Sequence, residues 1–256
     1  MKLQARRFEH GRWQAVERVT PEEAPVVMTP NGAAFAAVMA SPADLEELAV
    51  GFAVTEGIVE SFDEIEDVSV HPMDEGFEAA LTVPPARAVA LAERRRAFAA
   101  RTSCSLCGFE DFDLLLAARP GKTEPASVAP EALIRAMAAL AETAVRPGVH
   151  AAAWAGTEGA LMETREDVGR HNALDKLIGA RLMRGRGFSD GVICLTSRCS
   201  IEMVLKAARV GASIVASAGS PTALAVQAAE AAGIALVAGA RDGALEVYAG
   251  LEGETG

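Results

Sequence analysis

Apolar and polar positions change period several times along this chain of 256 residues. Val26-Val27-Met28 and the run from Ala34 to Met39 flank Asn31-Gly32, a pair that accepts positive φ, so residues 25–40 predict a β-hairpin. Ser41-Pro42-Ala43-Asp44 then predicts a helix start, with Ser41 as N-cap and Pro42 at the first helical position. Leu45, Leu48, Ala49 and Phe52 follow helical spacing as far as Gly57. Residues 65–83 predict two short strands around Asp74-Glu75-Gly76. Pro84-Pro85 opens a helix that closes on Arg94-Arg95-Arg96, cations favoured at a helix C-terminus.

The pattern becomes regular after a helix at 130–144. A hairpin is expected from 149–155 and 160–164, then a helix over 166–184 and a strand over 192–196. A helix from Ser200 to Gly211 and a strand from Ser213 to Ala218 follow. The next helix, capped by Ser220 with Pro221, ends at Gly233; strands at 234–238 and 245–248 complete the series. Near-continuous apolar strands alternating with helices predict an α/β fold whose sheet is covered on both faces. Residues 117–130 are rich in Ala, Pro, Gly, Lys and Ser and read as a linker. They divide the chain into an N-terminal α+β region, 1–125, and a C-terminal α/β domain, 126–256.

Composition sharpens this picture in two places. Aromatics are only 5% of the chain, so Ala, Val and Leu fill the core and favour close packing of helices on sheets. The net charge of −11 argues against general nucleic-acid binding. Charge is uneven, however: from Arg165 to Arg209 nine Lys/Arg face five Asp/Glu. That window reads either as solvated helix faces or as a site for a phosphate-bearing ligand. No signal peptide or membrane span is evident, and four cysteines do not make a disulfide scaffold, so a cytoplasmic protein with reduced thiols is expected.

The candidate chemistry starts with Cys104-Ser105-Leu106-Cys107, a CxxC beside Arg101 in a stretch of Gly and Ser that predicts a mobile loop. A nearby cation favours the thiolate, and a thiolate can take up a sulfane sulfur that its neighbour resolves. Half a zinc site and idle surface cysteines remain alternatives. Zinc requires two further ligands, for which Cys194 with Cys199, or His150 with His171, are candidates. A deaminase zinc site is disfavoured, because neither histidine is followed by the necessary Glu and no Pro precedes Cys104.

Two further clusters could hold an anion. In Glu166-Asp167-Val168-Gly169-Arg170-His171-Asn172-Ala173, a helix would place Asp167, His171 and Asp175 on one face, with Arg170 and His171 able to meet phosphate or a polar heterocycle. The plainer alternative is a histidine satisfied within a surface ion network. Ser197-Arg198-Cys199-Ser200 joins a strand end to a helix N-terminus, where free N–H groups and Arg198 suit an anion, or where the helix is simply capped.

The string Glu166 to Ala173, the Cys104-Ser105-Leu106-Cys107-Gly108 motif, Leu48 to Ile58 and Ser220 to Val226 together resemble the formate dehydrogenase accessory sulfurtransferase family, in order and from about residue 20 to 250. The resemblance implies a cytidine-deaminase-like α/β fold without the deaminase zinc, and a cytoplasmic, typically dimeric sulfur carrier with no metal of its own. Such a carrier accepts persulfide sulfur from a cysteine desulfurase. It passes the sulfur to the molybdenum or tungsten bis-guanine-dinucleotide cofactor before that cofactor enters formate dehydrogenase. Cys104 matches the persulfide cysteine and Cys107 its companion. The family's cofactor-binding stretch falls on Gly239, Ala240, Arg241, Asp242, Gly243 and Ala244. A cofactor-binding chaperone that transfers no sulfur, with or without zinc, is the alternative.

Overall fold

The computed structural model describes residues 1–87, 128–143, 146–241 and 243–250. The expected helix to Arg96 lies outside them beyond Arg87; the CxxC, Asp242 and all but the end of the linker do so as well.

The larger sheet has six strands in the order β12-β11-β10-β9-β7-β8. These are β7 (His150–Gly156), β8 (Leu161–Asp167), β9 (Gly191–Leu195), β10 (Ile214–Ser217), β11 (Ala235–Arg241) and β12 (Ala244–Ala249). The central β9, β10 and β11 are parallel, while β7, β8 and β12 run antiparallel to their neighbours. Successive residues alternate between two cores, as strand geometry requires. Trp154, Ile193, Leu195, Val215 and Leu236 pack against the helices α3 (Arg170–Leu182), α4 (Ile201–Arg209) and α5 (Ala223–Ala232). Ala153, Val192, Cys194, Ala216 and Val237 face Leu133, Met137 and Leu140 of α2 (Pro130–Thr143). Both faces are covered, as the apolar runs predict.

The smaller sheet has the order β4-β3-β6-β5, from β3 (Ala24–Pro30), β4 (Ala36–Ala40), β5 (Asp67–Pro72) and β6 (Phe77–Thr82). The predicted hairpin is present. Asn31 and Gly32 take φ of 48° and 75°, and the Asn31 side chain donates to Val83 O and accepts from Val83 N. Helix α1 (Leu45–Thr55) packs its apolar positions on this sheet. Its other side meets α3 at backbone distance. A Cβ on Gly51 would lie 1.8 Å from Asp175 O, and one on Gly179 would lie 1.9 Å from Glu47 O.

Buried ion pairs flank this crossing. Asp167 and Lys176 are both fully buried, with Nζ to Oδ2 at 2.6 Å. Asp167 also accepts from the backbone N–H of Ser41 and Gly169 and from Asn172 Nδ2, while Lys176 donates to Ser41 O. On the far side, Lys206 Nζ donates to Asp175 Oδ2, Thr55 Oγ1 and Glu56 Oε1. Each pair ties α1 or its leading loop to the larger sheet's helices.

These contacts explain where the sequence expectations fail. Ser41 does not cap α1: its hydroxyl accepts from Val168 N and its backbone serves Asp167 and Lys176, so the helix begins later, after Asp44. The helix expected from 166 starts at Arg170, because β8 continues through Asp167 in register with His150. Asp167 therefore does not share a helix face with His171 and Asp175. Ser220 does not cap α5 either. A bridge between Cys199 and Pro221 keeps that backbone extended, and Thr222 Oγ1 accepts from Ala225 N instead. A feature absent from the sequence reading precedes the small sheet: β1 (Lys2–Glu9) and β2 (Arg12–Val19) form a two-stranded ribbon.

Two predictions follow from the crossing and its ion pairs. Gly51→Ala or Gly179→Ala forces the helices apart and costs about 1–3 kcal/mol or more, read from the denaturant midpoint. Lys176→Met strands a buried carboxylate and costs about 3–5 kcal/mol, part of which Asp167→Asn restores in the double variant.

Candidate functional site

Parallel strands collect their carboxyl ends on one edge, where α/β sheets bind ligands. Because β7 runs antiparallel to β9, and β8 to β7, the start of β7 (His150) and the end of β8 (Asp167) reach the same edge. The topology thus gathers His150, Arg170, His171, Thr196 to Arg198, Ser217 to Ser220, Gly239 to Arg241, Gly243 and Ala244 along a single rim.

The rim divides between the two faces of the sheet. On the α2 face, a cavity of about 260 Å³ is walled by Ile134, Met137 and Ala141. Its floor is Thr196, Ala218, Ala240, Gly243 and Ala244, from the ends of three neighbouring strands and the start of a fourth. Gly239, at φ 64°, lies in the irregular stretch where the β11–β12 register shifts, between Ala238 and Arg241. This bends the strand ahead of Gly243. Three of the six residues expected to bind cofactor therefore line the cavity. Arg241 ends β11, and its side chain, like Asp242, is outside the described residues.

On the other face, α3 and α4 both begin at the rim, and their first turns hold a polar cluster. Burial first, then the Arg170 and Lys206 cations, push the His171 pKa down to about 4, with Glu202 and Glu56 opposing. Burial, then Arg170, also lower His150, against Asp167. Burial alone would raise Glu202, but the Ser200 hydroxyl, a backbone N–H, His171 and Arg170 hold it below the usual carboxylate range. Both imidazoles are neutral at physiological pH. Four buried polar atoms in this cluster, Arg170 Nε, His171 Nε2, Ser200 Oγ and Glu202 Oε2, have no hydrogen-bond partner. Buried polar groups normally find partners, so two nitrogens, a hydroxyl and one carboxylate oxygen here suit a ligand with complementary polar edges.

The structure brings Arg170 and His171 together with Glu202, a residue to which the sequence reading assigned no role. The signal available was its place in the first turn of α4, two residues after the N-cap Ser200. Arg198 is exposed on the loop between β9 and α4. Gly219 packs on its backbone: a Cβ there would lie 2.7 Å from Arg198 N. Ala240, Gly243 and Ala244 line the opposite face from Arg170 and His171, so a ligand touching both groups must lie across the rim.

The second zinc pair considered from the sequence is not assembled. Cys194 sits in the α2 core and Cys199 in the α3–α5 core. Burial raises both thiols to about 12, well above the range in which a thiolate would bind a metal at neutral pH. Among the described residues no three His, Cys, Asp or Glu side chains form a metal-sized group. Cys104 and Cys107 lie outside the described residues.

The depressed His171 pKa has a definite sign. The unfolded chain binds the proton more readily, so acidification from about pH 6.5 towards 4 weakens the fold, and the loss levels off below that. An NMR titration should place the His171 midpoint near 4, and Arg170→Gln should raise it.

The chain is similar to known proteins over most of its length. A protein of Xanthomonas euvesicatoria named sulfur carrier protein FdhD is 41% identical over 247 residues, covering 95% of this chain and 88% of its own. One of the same name from Burkholderia cenocepacia is 42% identical over 254 residues, covering 94% and 91%. A crystal structure assigned to a formate dehydrogenase accessory protein of Desulfotalea psychrophila superposes with a TM-score of 0.75 at 25% identity, over 97% of this chain and 96% of its own. No helix among the described residues is long and apolar enough to cross a membrane. The profile of the FdhD/NarQ family matches residues 21–253, and the chain belongs to that family.

Proposed function

We propose that this protein is a persulfide-based sulfurtransferase that serves formate dehydrogenase. Cys104 accepts a sulfane sulfur from a cysteine desulfurase and delivers it to a molybdenum or tungsten bis-guanine-dinucleotide cofactor, in the cytoplasm, before that cofactor enters the enzyme. The observation that carries this reading is the family match over residues 21–253, which includes Cys104-Ser105-Leu106-Cys107 in a chain 41% identical to proteins named sulfur carriers.

The chemistry divides into two exchanges. The Cys104 thiolate attacks the outer sulfur of the donor's persulfide; one S–S bond forms as the donor's breaks, and the donor leaves as a thiolate. Release as sulfide requires two electrons. Cys107 supplies them by attacking Cys104 Sγ: the pair closes to a disulfide, sulfide departs to the acceptor metal, and a cellular thiol reductant reopens the pair. The acceptor is a substrate here, and the strand-end rim is its proposed place. Ala240, Gly243 and Ala244 offer backbone groups beside a small apolar cavity, while Arg198 and Arg170 suit phosphates. His171, neutral at pH 7, can hydrogen-bond a heterocycle edge without adding charge.

Incubation with a cysteine desulfurase and cysteine, followed by peptide mass mapping, should add sulfur to the Cys104 peptide, and Cys104→Ala should abolish it. An unmodified Cys104 peptide in the active chain would sink the proposal. Arg170→Gln, His171→Ala and Arg198→Ala should load sulfur normally yet fail to activate formate dehydrogenase. If they activate it as well as the parent chain does, the rim is not the acceptor site.

A further inference from the structure

Helices α3 and α4 face each other through two rungs of polar side chains. His171 and Asp175 on α3, and Glu202 and Lys206 on α4, each lie one helical turn apart. The inner rung is closed: Lys206 Nζ donates to Asp175 Oδ2 at 2.9 Å, and both side chains are buried. Lys206 also reaches Thr55 and Glu56 at the end of α1, so the spacing of the two helices is fixed from a third side. The outer rung, at the rim, is open. His171 Nε2 and Glu202 Oε2 are buried there without a hydrogen-bond partner, as are Arg170 Nε and Ser200 Oγ beside them. Ser200 stands at the N-cap of α4, yet its side chain makes no capping bond.

The unmet groups define what completes them. An ionised carboxylate can only accept a hydrogen bond, and a guanidinium nitrogen can only donate one. A hydroxyl and a neutral imidazole nitrogen adapt to either role. A phosphate offers acceptors alone and is repelled by the Glu202 carboxylate, so it leaves the set incomplete. A flat ring edge completes it, provided that one plane carries adjacent N–H donors for Glu202 and an oxygen for Arg170. An adenine edge alternates donor and acceptor and presents only one donor group to an anion. A 2-amino-4-oxopyrimidine edge sets its amino group, a ring N–H and an oxo oxygen in a row, which matches the cluster group for group.

We propose that Glu202 is the specificity-determining residue of the rim: together with Arg170 it reads a 2-amino-4-oxopyrimidine edge of the sulfur acceptor. The inference rests on the rim being the acceptor's place. Two parts of that acceptor carry such an edge, its guanine bases and its pterin rings, and the edge they share is what Glu202 selects. Glu202 Oε2 accepts from the amino and ring N–H groups, and Arg170 Nε donates to the oxo oxygen. His171 and Ser200 bond the remaining ring atoms. Phosphates fall to Arg198, exposed on the neighbouring loop. A site whose buried polar atoms require particular partners rejects an analogue that lacks them far more strongly than a shape-fitting pocket does.

Isothermal titration calorimetry of the full chain tests this with two matched pairs: guanosine against inosine monophosphate, and pterin against pteridin-4-one. The second member of each pair lacks only the 2-amino group. The parent chain should bind the amino member of at least one pair roughly tenfold or more tighter than its analogue. Glu202→Gln should erase that preference and leave the analogue's affinity unchanged, a pattern that loss of folding could not produce. The pair that shows the preference tells whether a guanine or a pterin occupies the cluster. A preference in neither pair overturns the proposal, and so does one that survives in Glu202→Gln. Sulfur loading of Cys104 by a cysteine desulfurase is followed on the same samples. Loading without a preference sinks this inference alone; a preference without loading upholds it and sinks the sulfurtransferase reading.

Discussion

The close crossing of α1 and α3 is the constraint on which the rest depends. Two glycines, one per helix, let each backbone approach the other where any side chain would collide. That approach sets the separation between the small sheet and the six-stranded one. It also fixes where the first turn of α3 stands relative to the last turn of α1 and the body of α4, so the His171 environment follows from it. Lys206 reaches Asp175 and Thr55 only because those helices meet at this distance. The same cation then helps to keep His171 neutral. Packing in one layer thus becomes electrostatics at the rim.

The Glu166 to Ala173 string serves two purposes that a linear reading merges. Asp167 and Asn172 point into the fold: Asp167 holds Lys176, Ser41 and Gly169, while Asn172 links Asp167 to Met39 O. Arg170 and His171, between them, keep unpaired atoms at the rim. A buried ion pair of this kind is weak evidence of stability, since desolvation offsets much of its attraction. Its geometric effect is firmer. It fixes the start of α3, and hence the direction of the two residues proposed to meet the ligand.

Much of the α/β domain was legible from periodicity alone. The strands at 192–196, 213–218 and 234–238, and the helices between them, follow from apolar runs broken by Gly and polar caps. Their carboxyl ends did become a cavity wall at Thr196, Ala218 and Ala240. Legibility ended where tertiary contacts overrode local rules. Ser41 has an ideal capping sequence, yet a carboxylate 126 residues away occupies its backbone N–H. Asp167 fits a helical i, i+4 pattern, yet cross-strand pairing with His150 holds it extended. The N-terminal ribbon left little trace, because nothing buries one face and its apolar and charged residues mix without clean alternation.

The alternation of the central strands also sorts the cysteines. Cys194 and Cys199 occupy opposite cores, each shielded from solvent and held as a neutral thiol. Neither is a nucleophile at cellular pH, nor a target for an electrophile that cannot enter the core. The fold therefore quarantines two of its four cysteines. A carrier that must hold one reactive sulfur atom at a defined address gains from having no competing thiolates in its scaffold. Among the described residues, no thiol is left open to oxidants, alkylating agents or persulfide donors.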